Sequence, residues 1–164
     1  MDQLSDPLLS IALSGLLAGI LVRLAWIDLK TLALPDRYTL PLIGLGLGLS
    51  VFLPQPTFSA RLIGAVAGFL ILGLIGEVYF RRTGSEGLGL GDAKLFAAAG
   101  AWLGWQALPM VLLVASLCGL VYVTMLRRAE RNLPVAFGPM LALGFFLSWV
   151  QQSFFAESWP FPRF

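Results

Sequence analysis

The chain has 164 residues, 58% of them hydrophobic and only 12% charged, with a mean hydropathy of +0.85 and a formal net charge of +2. Soluble domains carry about 25% charged residues, so this composition excludes a water-soluble fold, and the small net charge argues against a nucleic-acid partner. There is no histidine and one cysteine, which removes Ser-His-Asp and Cys-His catalysis, HExxH zinc chemistry and histidine-ligated haem, together with any internal disulfide or multi-cysteine zinc site.

Six apolar segments follow one another along the chain: Leu8 to Ile27, Thr39 to Leu53, Leu62 to Phe80, Ala93 to Leu108, Met110 to Leu126, and Val135 to Gln151. A spanning helix takes about 20 apolar residues, within a range of roughly 17 to 25. The first, third, fifth and sixth fit that length, and the second and fourth are short. The flank before the first run, MDQLSDP, is acidic rather than basic, so the run reads as a permanent helix rather than a cleaved signal. Cys118 lies inside the fifth run and reads as a small packed hydrophobe. The expectation is an all-α integral membrane protein with about six transmembrane helices, one polytopic domain over residues 1–164.

Basic residues set the expected orientation. Lys30 and Arg37, Arg81 and Arg82, and Arg127, Arg128 and Arg131 fall in one set of loops, with Lys94 just beyond the second cluster. Only Arg61 and Arg163 fall on the other side. The positive-inside rule puts the first set in the cytoplasm and both termini on the outer, periplasmic side. Arg23, inside the first run, can snorkel toward the cytoplasmic headgroups. Four glycine pairs at helical spacing, Gly15/Gly19, Gly44/Gly48, Gly64/Gly68 and Gly100/Gly104, read as close helix contacts within the bundle or between copies. Pro134 is expected to start the last helix.

Ionisable groups at membrane depth are costly, so each is a functional candidate. Asp2, Asp6 and Glu157 lie in terminal flanks, and Glu130 sits among arginines as a solvated loop charge. Asp36 follows Pro35 and is expected to cap the second helix. Asp28 closes the first run and Asp92 opens the fourth, so alternating crossings bring both to the same face. Two carboxylates there can share a proton: one activates water, and the other, protonated, polarises a carbonyl. That is aspartic-protease chemistry, and it needs no metal and no cofactor. Plainer readings stay open at this point. Asp92 can be a helix N-cap, and Asp28 an interfacial charge paired with Lys30 or Arg23.

The local sequence around both acids is more specific. Gly89-Leu90-Gly91-Asp92 is a GxGD motif inside Glu86 to Leu95, followed by Ala98-Ala99-Gly100-Ala101-Trp102-Leu103-Gly104. Asp28 is followed by Leu34-Pro35-Asp36 and Thr39, and Pro134 to Pro139 holds an FGP sequence. These three stretches, in this order, resemble the type IV prepilin peptidases, a family of GxGD-type membrane aspartic proteases.

The resemblance implies an inner-membrane enzyme with its active site facing the cytoplasm. It would cleave the leader peptide of type IV prepilins or pseudopilins after a glycine, with Asp28 and Asp92 as the catalytic pair. Lys94 matches a motif position, where it can tune Asp92 or anchor its helix to headgroups. A substrate must present an extended stretch beside Asp92. Gly87, Gly89 and Gly91 are expected to let its backbone approach, and Glu86 and Asp36, with anionic headgroups, to attract a basic leader. Many members also carry a cytoplasmic domain with paired CxxC motifs and methylate the new terminus. The single cysteine here leads us to expect peptidase activity alone, a minimal form. A transporter with intramembrane carboxylates and a purely structural subunit are the rival classes, separable by the depth of the acids. A Ser85–Lys94 peptidase has no supporting motif. The pilin served and the oligomeric state are not fixed by the sequence.

Overall fold

The computed structural model describes residues 7–53, 55–84, 89–126 and 136–154. Six α-helices occur among them: α1 Pro7–Thr31, α2 Asp36–Gly48, α3 Phe58–Thr83, α4 Leu90–Leu103, α5 Leu108–Leu126 and α6 Gly138–Phe154. There is no strand among the described residues. Each helix overlaps one of the six apolar segments, but the boundaries move for local reasons. Asp28 and Lys30 do not end α1, because a carboxylate and an ammonium near a boundary leave the backbone ladder intact. The helix runs on to Thr31 and stops where Leu32 enters the left-handed region at φ 52. Pro35 then sits at the N-cap of α2 with an extended ψ of 135 and no side-chain cap bond. Asp36 is therefore not the cap. It is the first helical residue, where a negative charge still complements the helix dipole.

The fourth segment is cut in two. Gly104 has φ 81 and ψ 167, a backbone that interrupts the helix, and a single 3-10 turn, Trp105–Ala107, leads into α5. Likewise the expected second helix ends at Gly48 and passes into a 3-10 turn, Leu49–Val51. At the start of α3, the Thr57 hydroxyl accepts from the Ala60 amide at 3.3 Å, and the helix ends on Gly84 in the left-handed region at φ 69. The start expected at Pro134 lies outside the described residues.

Among the described residues, three helices are long and apolar enough to cross a membrane: Leu8–Thr31, Phe58–Thr83 and Trp105–Met125, the last including the 3-10 turn. α2 and α4, with 13 and 14 residues, reach only about 20 Å at 1.5 Å per residue, against a hydrocarbon core of about 30 Å. The reason α4 can be short is its position. From Asp92 to Leu103 every residue except the partly buried Lys94 is buried, with α2, α3 and α6 packed around it. Backbone that ends at membrane depth is tolerated when protein surrounds it.

Glycine makes that burial tight. A Cβ on Gly100 would lie 2.2 Å from the Gly64 carbonyl carbon, and one on Gly68 would lie 2.8 Å from the Phe96 oxygen. α3 and α4 thus touch backbone to backbone. Gly46 is pressed in the same way on Trp102 and Ala101. The other two expected pairs differ: Gly15, Gly19, Gly44 and Gly48 have nothing within 4 Å of a Cβ. Their spacing matches the packed pairs, but they lie on faces that none of the described helices covers.

The end of α4 away from Asp92 is held by a residue that the sequence reading left as a loop charge. Arg61 is fully buried. Its guanidinium donates to the carbonyls of Trp102 (2.8 Å), Ala101 (3.3 Å), Gly46 (3.1 Å), Pro56 (3.0 Å) and Gln55 (3.4 Å). Those of Ala101, Trp102 and Gly46 belong to the last turns of α4 and α2, whose terminal carbonyls lack helical partners and carry the negative end of the helix dipole. One cation therefore closes two short helices inside the bundle. Trp102 adds a bond from its indole nitrogen to the Leu42 carbonyl at 2.8 Å, with Phe145 and Trp149 edge-on at 6.2 and 5.3 Å.

Candidate active site

Asp28 lies in the last turn of α1 and Asp92 in the first turn of α4, and both are buried, at 5% and 9% exposure. Asp92 is not an N-cap. Gly89 holds that position, and the Asp92 amide, three residues on, bonds back to the Gly89 carbonyl at 3.1 Å. The Asp92 side chain is thus released from capping, and its Oδ1 is buried without a hydrogen-bond partner among the described residues. Asp28 is equally free of its expected cations. Arg23 donates to the Tyr38 hydroxyl, and Lys30 stands over the Trp26 ring. Instead, Asp28 Oδ2 accepts from the Gly138 amide at 3.0 Å. Gly91, next to Asp92, lies against Leu34, six residues after Asp28, so the two carboxylates sit at the same end of the bundle.

The surrounding backbone sets this arrangement. A Cβ on Gly138 would come within 2.6 Å of Asp28 Oδ2, so only glycine lets the start of α6 lie against that carboxylate. A Cβ on Gly91 would come within 2.7 Å of the Leu34 Cβ, so Gly91 seats α4 under the segment joining α1 to α2. The Lys94 ammonium bonds Asp36 Oδ1 at 2.5 Å, tying the first turn of α4 to the first turn of α2. Lys94 and Asp36 are therefore engaged with each other. Gly89 is exposed, and a Cβ there would lie 3.8 Å from Asp92 Oδ2, which makes it the open approach to the carboxylate. Beside it a cavity of about 380 Å³ is lined by Leu72, Gly73, Gly76, Glu77 and Phe80 of α3 with Gly89 and Leu90. Ser85, Glu86 and Gly87 lie outside the described residues. Sequence reasoning gave no role to Gly138. Its only sequence signal is a glycine in the FGP stretch between two apolar runs.

Residues 15–124, which include both aspartates, match the type IV leader peptidase family. The chain belongs to that family. Among curated relatives, it is 45% identical over 131 residues to a prepilin leader peptidase/N-methyltransferase of Aeromonas salmonicida, covering 78% of this chain and 45% of the relative. It is 44% identical over 142 residues to the protein of that name from Pectobacterium carotovorum, covering 85% and 51%. To the one from Escherichia coli it is 43% identical over 136 residues, covering 79% and 60%. The chain thus spans about half the length of these relatives. No solved structure matches it. Family membership and three helices of spanning length make the chain a bacterial membrane protein.

Proposed function

We propose that this member of the leader peptidase family is an intramembrane aspartic endopeptidase. It removes the leader of type IV prepilins or pseudopilins after a glycine, at the cytoplasmic face of the inner membrane. What supports this reading is the burial of two carboxylates from distant segments, Asp28 and Asp92, at the same end of the bundle, neither paired with a cation among the described residues. Burial without a counter-ion is an expensive way to place an acid, and a site that must share one proton between two carboxylates has that requirement.

The chemistry follows from the dyad. The ionised carboxylate takes a proton from water as the water oxygen attacks the scissile carbonyl carbon, while the protonated partner donates to the carbonyl oxygen. Collapse of the tetrahedral diol breaks the C–N bond, and a proton passes to the leaving amine. The Gly138 amide fixes the Asp28 carboxyl in place for this, and exposed Gly89 leaves room for an extended substrate backbone beside Asp92. Gly91, Gly87, Glu86 and Asp36 complete the proposed substrate contacts, with Asp36 exchanging its Lys94 partner for a leader cation. Peptide hydrolysis is the whole of the assigned chemistry. The methyl transfer in the relatives' name is not assigned to these residues.

The test is an in-membrane cleavage assay on a prepilin-type substrate with Asp28→Asn and Asp92→Asn. Asparagine keeps the shape and cannot exchange the proton, so each variant should insert normally and cleave nothing detectable. Processing by either one near the parent rate removes the dyad. It would leave the acids to ion transport or to packing.

A further inference from the structure

Arg23 lies eight residues before the end of α1, about 12 Å along its axis, and is exposed. In a membrane helix an exposed side chain meets lipid or headgroups, where a guanidinium without an anionic partner is costly. Its Nε donates to the Tyr38 hydroxyl at 3.1 Å, and its guanidinium carbon stands 5.7 Å from the centre of that ring. Arg37, also exposed, holds its guanidinium 5.0 Å from the same ring. Two cations therefore share one tyrosine. Among the described residues the ion pairs are Arg81–Glu77 and Lys94–Asp36, so neither Arg23 nor Arg37 has a carboxylate partner. Cation–π contact is attractive for each pair but does nothing for the mutual repulsion of two guanidiniums.

The missing component is an anion, and the surroundings say which kind. On the same end of α1, Lys30 stands 4.5 Å over the exposed Trp26 ring. A tryptophan–lysine pair at a helix end marks headgroup level. The apolar surface beside it is open too, with Val22, Trp26 and Leu40 between 54% and 69% exposed, which suits acyl chains running down from that level. Guanidinium is the side chain best matched to a phosphate monoanion.

We propose that Arg23, Tyr38 and Arg37, at the junction of α1 and α2, form a binding site for the phosphate of an anionic phospholipid headgroup. The phosphate sits between the two guanidiniums, the tyrosine hydroxyl orients Arg23, and the acyl chains lie along α1. The bound lipid then neutralises the two charges that otherwise face the bilayer unpaired, and fixes α1 against α2 close to the segment that connects Asp28 to Asp36.

The full chain, purified in detergent, is titrated with phosphatidylglycerol and separately with phosphatidylcholine, and retained lipid is read by native mass spectrometry. One phosphatidylglycerol should be retained per chain under conditions that strip phosphatidylcholine. Arg37→Gln should weaken retention about tenfold, the loss expected for one charge-assisted hydrogen bond. The Arg23→Gln/Arg37→Gln double variant should abolish it, while Arg82→Gln, an exposed cation at the end of α3, should leave it unchanged. Arg37 is an exposed side chain, so its single variant keeps the test valid if the double variant folds poorly. Equal retention of the two lipids, or parental retention by Arg37→Gln, overturns the proposal. So does displacement of the lipid by inorganic phosphate at equal concentration, which would make the ligand a soluble phosphate.

Discussion

A methyl group at position 138 would occupy space that the Asp28 carboxylate already fills, 2.6 Å from Oδ2. Either the carboxylate turns away or the start of α6 retreats, and both break the 3.0 Å bond from the Gly138 amide. Misplacing a reacting group by an ångström can cost about 100-fold in rate. Gly138→Ala should therefore lower cleavage of a prepilin-type substrate by about tenfold to 100-fold at matched membrane levels. Gly119→Ala is the control, because a Cβ there makes only ordinary contacts, at 3.8 and 3.9 Å. Equal rates for the two variants would mean that the amide does not position Asp28. The two aspartates stood out in the sequence as candidates because a carboxylate at the edge of an apolar run is conspicuous by its cost. Gly138 was not, since nothing local links it to an acid 110 positions away. A glycine shows its purpose only once the neighbour is in place.

Among the elements, α4 depends most on its partners. Its burial on all sides leaves terminal carbonyls that lipid cannot satisfy, and Arg61 supplies the donors. Arg61→Met keeps much of the side-chain stem and removes every donor. With an unsatisfied buried polar group costing about 1–3 kcal/mol, orphaning several carbonyls should cost about 3 kcal/mol or more, less whatever is recovered by no longer burying a charge. Thermal unfolding in detergent should show a clear fall for Arg61→Met and a smaller one for Arg61→Lys, which retains some donors. A methionine variant as stable as the parent would show that the carbonyls find other partners and that Arg61 is dispensable. In the sequence, Arg61 looked like a loop charge because it stands alone beside an apolar run, and no carboxylate elsewhere announces it. Its partners are backbone, which the sequence cannot display. The glycine pairs carry the same lesson. Gly64/Gly68 and Gly100/Gly104 share their spacing with Gly15/Gly19 and Gly44/Gly48, but packing depends on which face meets a neighbour, and spacing leaves that open.

At the scale of the whole molecule, the apolar runs gave the number and order of the described helices, because hydropathy reads the cost of exposing backbone in lipid. They did not give their reach, since α2 and α4 are too short to cross a bilayer alone and are admitted by burial against their neighbours. Orientation is the part of the architecture that rests on loop charge, and α3 offers the cleanest test of it. Its 26 residues measure about 39 Å at 1.5 Å per residue, enough to separate its two ends by a full bilayer. Arg81 and Arg82 lie in its last turn, at the end toward Gly89 and Asp92, while exposed Gln55 lies just before its start. In a Cys118→Ser background, Gln55→Cys should react with an impermeant thiol reagent from the periplasmic side. Arg82→Cys should react only after the membrane is opened. The opposite pattern would place Asp28 and Asp92 at the periplasmic face, away from the cytoplasmic leader of the proposed substrate. Labelling of both from one side would mean that α3 does not cross. Either result would require a different route for the substrate to Asp92, because the approach past Gly89 opens at the same end of α3 as Arg82.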